Sequence, residues 1–434
     1  MNSAIKYKLF LMMVLEFFIW GAWLPLIFGY LPSLKFSPGE CSAILSAFPI
    51  AAIIGMFFSN QFADRNFAAE KFLAFSHLVG GLAMLGMAFT REFWPFLGLM
   101  YVHCLLYVPT ISITNSIAFT HMKDAQKEFG FVRMGGTLGW ILASWPFIFI
   151  LVDYDKVHAA NPQGIVDWIG TVLKSGLTGQ AMQDATKWTY VVAGVASLIL
   201  AAFSLILPHT PPKKAGEGGA ESMAWAEAFS LLRHPFILVL WLVTFVDSFV
   251  HNCYFNWAGT FLGAPVTAGG AGIAGNWIQP VMSIGQIAEL LTMFVLGATL
   301  KNLGWRTTMI LGIIAYPVRF AVWAFLPDHQ MLIILIQALH GVCYAFFFAT
   351  VYIFAEEYFP KDVRTSAQGL FNVMILGLGG LAANTICPYL GAAFTKDGIM
   401  DFHHLFLVPL AVALLAAIAL AAFFHPPPMT KKTI

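Results

Sequence analysis

Twelve separate stretches of this 434-residue chain are long and apolar enough to cross a bilayer as helices, which leaves few folds open. A bilayer core takes about 20 apolar residues as a helix, because lipid offers backbone N–H and C=O groups no other partner. The pattern predicts spans over 8–31, 43–63, 72–89, 94–119, 133–152, 188–208, 235–258, 274–299, 306–326, 330–355, 365–390 and 403–424. The rest of the chain could not cover a water-soluble core, since only 10% of residues are charged against about 25% in soluble domains. A soluble enzyme is therefore excluded, and the expected fold is an all-α membrane protein of twelve transmembrane helices embedded in lipid. The formal charge of +1 and the lack of a long basic run offer nothing to a nucleic acid. Cys41, Cys104, Cys253, Cys343 and Cys387 are scattered without CxxC spacing. Neither a disulfide framework nor a metal site is expected, and no cofactor motif is present.

The first span follows Lys6 and Lys8, as a signal peptide would. It is too long for one, carries Glu16 and lacks a small-residue cleavage site, so it reads as a retained helix. The basic residues then orient the set. With the N-terminus inside, sixteen of the 23 Lys and Arg residues fall in cytoplasmic segments and six in outer loops, while Arg319 alone lies within a span. Such a bias places both termini in the cytoplasm. The absence of long tails and of glycosylation-rich loops favours a bacterial inner membrane, and a monomer is expected.

Between spans six and seven the run Pro208–Gly219 is too polar and flexible to enter lipid. Trp225, Phe229 and Leu232 then recur at helical spacing, which predicts a short helix on the inner membrane surface. The expected organisation is a six-helix bundle over 1–208, a linker over 209–234, a second six-helix bundle over 235–425 and a tail over 426–434. The halves echo each other. Val132-Arg133-Met134-Gly135-Gly136-Thr137 opens span five, and Val363-Arg364-Thr365-Ser366-Ala367-Gln368-Gly369 opens span eleven. The loop after span two carries Asp64 and Arg65, and the loop after span eight runs from Gly297 through Lys301 to Arg306. Both resemble degenerate copies of the charged loop of the major facilitator superfamily. Repeated halves with matched loops are the trace of a rocking transporter with its site near mid-membrane, and Asp64, Arg65, Lys301, Arg306 and Arg364 are its expected switch residues. In the outer loop 153–187, Ile165, Trp168, Ile169, Val172 and Leu173 form a helical stripe, which reads more readily as an interfacial strut than as a lid.

A charge at the bilayer centre costs about 2.5–3.5 kcal/mol even on the lenient insertion scale, so ionisable residues there must face a cavity or a partner. They are Glu16 in span one, Arg133 at the start of span five, Asp247 and His251 in span seven, Glu289 in span eight, Arg319 in span nine and His340 in span ten. Arg133, Thr137 and Trp140 share one helix face at i, i+4 and i+7, Gln286 and Glu289 share another, and His340 and Tyr344 a third. Asn252 and Phe255 lie towards the end of span seven. Amides and carboxylates match ribose hydroxyls or base edges, and Trp140, Phe255 and Tyr344 can stack on a ring, so the set fits a flat, neutral, polar ligand. A sugar would be served by similar groups. Arg319 reads as the partner of a structural acid beside the kink-prone Pro317, and His77 and His103 as satisfied packing histidines.

Several stretches resemble the nucleoside:proton symporters, the nucleoside permeases of the major facilitator superfamily. They are Phe17-Phe18-Ile19-Trp20-Gly21-Ala22-Trp23, Tyr107-Val108-Pro109-Thr110 with Asn115-Ser116-Ile117-Ala118-Phe119, and Arg133 through Trp140. The second half adds Gly285-Gln286-Ile287-Ala288-Glu289, Leu339-His340-Gly341-Val342-Cys343-Tyr344 and Arg364-Thr365-Ser366-Ala367-Gln368-Gly369. The resemblance implies import of nucleosides by alternating access, coupled to protons. Arg133, Thr137, Trp140, Gln286, Glu289, His340 and Tyr344 match the family's substrate-contacting positions, with Asn252 and Phe255 the looser placements in span seven. One departure matters: where the family usually carries an aspartate after the Tyr344 position, this chain has Ala345. Glu289, Glu16 and Asp247 are then the candidate proton carriers, with Glu289 expected to carry the proton and Arg133 or Arg319 to switch it.

The rival expectations are an uncoupled facilitator or symporter of another small polar solute such as a sugar, a membrane-embedded enzyme, and a receptor. No HExxH, GxSxG or DxD motif appears and the intramembrane acids lie on different spans, which argues against an enzyme. No signalling domain accompanies the short inner loops.

Overall fold

A computed structural model describes residues 3–55, 67–122, 125–212, 230–359 and 364–426. Nine helices among the described residues are at least 18 residues long and apolar enough to cross a bilayer. One of them, Gly275–Phe325, contains spans eight and nine, divided at Gly304, where φ is 72° and ψ 174°. Only a glycine takes that backbone without strain, and the expected loop between the two spans shrinks to this break. Span two starts as Pro38–Leu45 and Ala47–Ile54, and span five is Ala125–Ser144 followed by Phe147–Ile150. With these pieces the twelve expected spans are accounted for. The remaining ones are Ser3–Ser33, Ala69–Ala88, Phe93–His121, Lys187–Ser204, Pro235–Gly263, Gln330–Tyr358, Ala367–Ala393 and Phe402–Phe423.

The chain forms two compact units: Met1–Lys213 with Phe255–Ser283, and Lys214–Tyr254 with Ile284–Ile434. In the first, spans one and five cross so closely that a Cβ on Gly135 would strike the Phe10 carbonyl and one on Gly139 the Val14 carbonyl. Small residues four apart let two backbones approach in this way, which is how helices associate in lipid, where apolar side chains alone supply no drive. The segment after span six is strapped back on the same unit. Glu70 accepts from the Thr210 backbone N–H at 3.0 Å and lies 2.8 Å from His209 Nδ1, while His121 Nε2 lies 2.9 Å from the Thr210 hydroxyl.

The stripe in the outer loop forms the helix Ile165–Lys174. Val172 joins Val152 and Val157 in a small core, whereas Ile165 and Val166 remain exposed. Trp277 Nε1 donates to the Leu173 carbonyl at 2.9 Å, and the Gly275 N–H donates to the Leu177 carbonyl at 2.8 Å. This loop is thus tied to the start of span eight inside the first unit, the arrangement of a strut.

In the second unit, a Cβ on Gly379 in span eleven would run into Ser248 of span seven. Gly285 faces the His340 ring and Gly341 faces the backbone of Glu289, so spans eight and ten meet at two glycines. Spans ten and eleven each contain a π-helical turn, Tyr344–Ala349 and Val373–Leu378. Asp397 and Gly398, at φ 51° and 77°, turn the two-residue hairpin Thr395–Lys396/Ile399–Met400 before span twelve. That is the left-handed pair an Asp-Gly turn favours. Of the expected linker helix, Trp225 and Phe229 lie outside the described residues, and Leu231–Arg233 is a single 3-10 turn.

Candidate functional site

In the first unit the expected face of span five is aromatic at both ends. The Arg133 guanidinium lies over the Phe17 ring at 4.4 Å, and Trp140 meets Trp20 edge-on at 5.1 Å and Phe255 at 6.3 Å. Arg133, Thr137 and Trp140 are all partly exposed, whereas Phe255 is buried. Phe255 thus belongs with Trp140, two sequence-predicted residues brought together from spans five and seven.

Glu16 sits in the same unit with no exposed surface. Its Oε2 lies 2.9 Å from His77 Nε2 and its Oε1 accepts from the Thr110 hydroxyl at 2.7 Å. The Tyr107 hydroxyl donates to its backbone carbonyl at 2.7 Å. His77 is satisfied in turn by Ser197, whose Oγ lies 3.0 Å from Nδ1 and 2.9 Å from the His77 carbonyl. Four spans therefore converge on one carboxylate. The sequence marked Glu16 as costly but read His77 as a packing histidine. Partners 61 and 94 positions away carry no periodicity to betray them. The usable signal was a set of polar residues at mid-span depth, namely Glu16, His77, Thr110 and Ser197.

The second unit holds a different cluster. Arg319 is fully buried, and its Nη1 donates to His340 Nδ1 at 3.1 Å. Because a guanidinium only donates, His340 must accept at Nδ1 and carry its proton on Nε2. The acid expected beside Arg319 is not what holds it. Its charge lies over Tyr254 at 4.1 Å, with Phe320, Tyr316 and Trp323 at 5.4, 5.5 and 5.6 Å, and the quadrupoles of those rings stand in for a carboxylate. Arg319 Nε and Nη2 make no hydrogen bond. Asp247 is also buried, with the Tyr316 hydroxyl as its side-chain hydrogen-bonding neighbour. That hydroxyl also lies 2.9 Å from His251 Nδ1, so Tyr316 stands between the carboxylate and the imidazole.

Around His340 lie the rings of His251 at 4.8 Å and Tyr254 at 4.6 Å, and Tyr344 is 6.3 Å from His251. Tyr344 opens the π turn, a deformation common at functional sites and one with no residue signature. Ala345, where an aspartate was expected by resemblance, is fully buried. Gln286 is buried and Glu289 partly exposed, on the stretch of span eight that Gly285 and Gly341 bring against span ten. Asn252 Nδ2 donates to the Ser248 carbonyl of its own helix at 2.8 Å. Among the expected switch residues, Arg306 donates through Nη2 to the Ala421 carbonyl and lies 3.2 Å from His425 Nε2, closing the end of span twelve. Lys301 is exposed. Asp64 and Arg65 lie outside the described residues, and Arg364 is described only as the first residue of its helix.

Twelve helical spans with ionisable clusters buried in each half define a transporter of the major facilitator type. The model of the nucleoside H+ symporter family matches residues 1–173 and 161–429, and the chain belongs to that family. It is 31% identical to YegT of Escherichia coli (strain K12), named there as a candidate nucleoside transporter, over 86% of this chain and 81% of that protein. It is 26% identical to the xanthosine permease of the same organism, over 96% and 94%. A point mutant of the nucleoside transporter NupG has the same fold, with a TM-score of 0.81 at 23% identity over 97% of this chain and all of that one. The chain is an integral membrane transporter of the symporter class and not an enzyme.

Proposed function

We propose that this chain imports nucleosides across a bacterial inner membrane by alternating access in symport with protons, acting as a lipid-embedded monomer with both termini cytoplasmic. No nucleic acid takes part. The observation that carries the reading is the family match over nearly the whole chain. In this reading residues 1–208 and 235–425 are the two moving halves, joined by the linker 209–234. Trp140, Phe255 and Tyr344 stack on the base, a contact worth about 1–3 kcal/mol per base in nucleic-acid binders. Arg133, Thr137, Asn252, Gln286 and Glu289 supply hydrogen bonds to the sugar and base edges. His340, with its proton on Nε2, adds a donor. Asp64, Arg65, Lys301, Arg306 and Arg364 are the switch residues, and Glu289, Glu16 and Asp247 the carboxylates able to carry a proton.

The test is uptake of radiolabelled uridine and adenosine into proteoliposomes, with and without an inward proton gradient. Uptake accelerated by the gradient is expected. Gln286→Ala should weaken substrate affinity about tenfold, the equivalent of 1.4 kcal/mol for one lost hydrogen bond. Failure to take up either nucleoside, with uptake of a sugar instead, would replace the substrate class and leave the fold unchanged.

A further inference from the structure

The hydrogen-bond geometry around Glu16 has room for one proton more or less without any heavy atom moving. Ser197 has a single hydroxyl proton and two acceptors in reach, His77 Nδ1 at 3.0 Å and the His77 carbonyl at 2.9 Å. When the hydroxyl points at Nδ1, the imidazole proton sits on Nε2 and is donated to the Glu16 carboxylate at 2.9 Å. When it turns to the carbonyl, Nδ1 must carry a proton and donate it to Ser197 Oγ. The short contact between Nε2 and Glu16 then still requires a proton of its own, on either side. The two arrangements differ by one proton: loading forms one N–H bond at the expense of an O–H bond of a hydronium ion, with no oxidation or reduction. The loaded pair is neutral overall, and the unloaded pair carries one negative charge.

The surroundings decide what that difference does. Span four presents Tyr107, whose hydroxyl is committed to the Glu16 backbone carbonyl, and Thr110, which donates to Oε1 and also lies close to the Tyr107 carbonyl. It also presents His103, stacked on Tyr107 at 5.2 Å, with Nδ1 3.2 Å from the Gly80 carbonyl of span three. Span six presents Ser197. Span five presents Arg133, whose guanidinium lies over the neighbouring Phe17 ring at 4.4 Å. Among the described residues no Lys or Arg forms an ion pair with Glu16, and Glu16 and His77 are 0% and 1% exposed. A net charge there, without a counter-ion, is costly in a lipid-embedded interior. Release of the proton therefore calls for a rearrangement that admits water or a cation, which is what couples a proton to a conformational change.

We propose that Glu16 and His77, with Ser197 as the hydroxyl that turns between them and the backbone, form a proton-binding site of the transport cycle. This rests on the reading that the chain is a proton-coupled nucleoside transporter, and it places the proton on span one rather than on Glu289. Glu16→Gln offers the sharpest test, because the amide can accept from Thr110 and donate to His77 Nε2, reproducing the loaded arrangement permanently. In proteoliposomes the full-length wild type should accumulate uridine under an inward gradient, by about tenfold per pH unit for one proton per substrate. Glu16→Gln should lose that accumulation while still exchanging internal for external uridine in counterflow. Thr110→Val, which removes a donor that stabilises the carboxylate, should move the pH profile of uptake to higher pH. It also supplies the answer if Glu16→Gln fails to fold. Gradient-driven accumulation surviving in Glu16→Gln, or an unmoved profile in Thr110→Val, overturns the proton site and leaves nucleoside transport standing. Absence of both uptake and counterflow in the wild type overturns the underlying reading instead.

Discussion

The two units bury charge in opposite ways. In the first, the acid on span one and the base on span three meet directly, Glu16 against His77 at 2.9 Å, with Thr110 and Ser197 completing both partners. In the second, the equivalent helices carry Asp247 and Arg319, and the two form no such pair. Arg319 is held by aromatic rings and His340, and Asp247 by the Tyr316 hydroxyl. A saturated pair resists change until a proton enters or leaves. An unsaturated cluster keeps spare donors, here Arg319 Nε and Nη2, that a rearrangement or a ligand can use. The same helical frame can thus hold a charge store in one half and an open polar cluster in the other.

The largest expected effect breaks this asymmetry at its stronger end. Glu16→Ala strands His77 Nε2 in a buried interior, while Thr110 keeps the Tyr107 carbonyl as acceptor, and removing one partner of a buried pair costs about 3–5 kcal/mol. Asp247→Ala removes a carboxylate held by the Tyr316 hydroxyl and by no base, and its cost should be smaller, about 1–2 kcal/mol. Thermal unfolding in detergent should separate the two variants clearly. Equal destabilisation would mean that Asp247 is as firmly partnered as Glu16 and would end the comparison.

Glycine contacts sharpen the comparison next. A Cβ at Gly139 meets the backbone of Val14, which cannot rotate away, whereas a Cβ at Gly379 meets mainly the Ser248 side chain. Gly139→Ala should approach the 3 kcal/mol end of overpacking costs, about 1–3 kcal/mol. Gly379→Ala should cost less and recover in combination with Ser248→Gly. Comparable losses that Ser248→Gly does not relieve would show both crossings to be equally rigid. Arg319→Lys follows. It keeps the charge but loses the flat guanidinium that stacks on Tyr254 and the donor aimed at His340, so about 2 kcal/mol is expected in the same assay.

What the sequence discloses follows the same division. Spans are legible because lipid demands about 20 apolar residues in a row, and Gly139 and Gly135 are legible as a small-residue pair. Intramembrane Glu16, Asp247 and Arg319 are legible as costly. Their solutions are not, because each is a contact between distant spans. An acid beside Arg319 was the reasonable expectation, and four aromatic rings from spans seven and nine took its place. His77 looked like packing until Glu16 lay against it. The π turn at Tyr344 changes which side chains share a face after that point, so faces drawn from a regular helical period fail there.

The smallest expected effect lies at the starts of two helices, one in each unit. Span twelve starts at Asp401, whose carboxylate accepts from the His404 backbone N–H at 3.1 Å and lies 2.7 Å from its Nδ1. Span six starts at Thr186 with no side-chain cap. The His404 backbone N–H, and then its side chain, hold the Asp401 carboxyl below the ordinary aspartate range despite the opposing pull of burial. A lowered carboxylate contributes stability that is present above its unfolded value, near 3.9, and lost as pH falls through the folded one. Asp401→Ala should therefore cost about 1 kcal/mol at neutral pH, as loss of a helix cap does, discounted because the side chain is half exposed. The difference from wild type should close as the pH is lowered below that range. A cost that persists in acid would mean that Asp401 supports span twelve by packing and not by its charge, and spans six and twelve would then differ less than their caps imply.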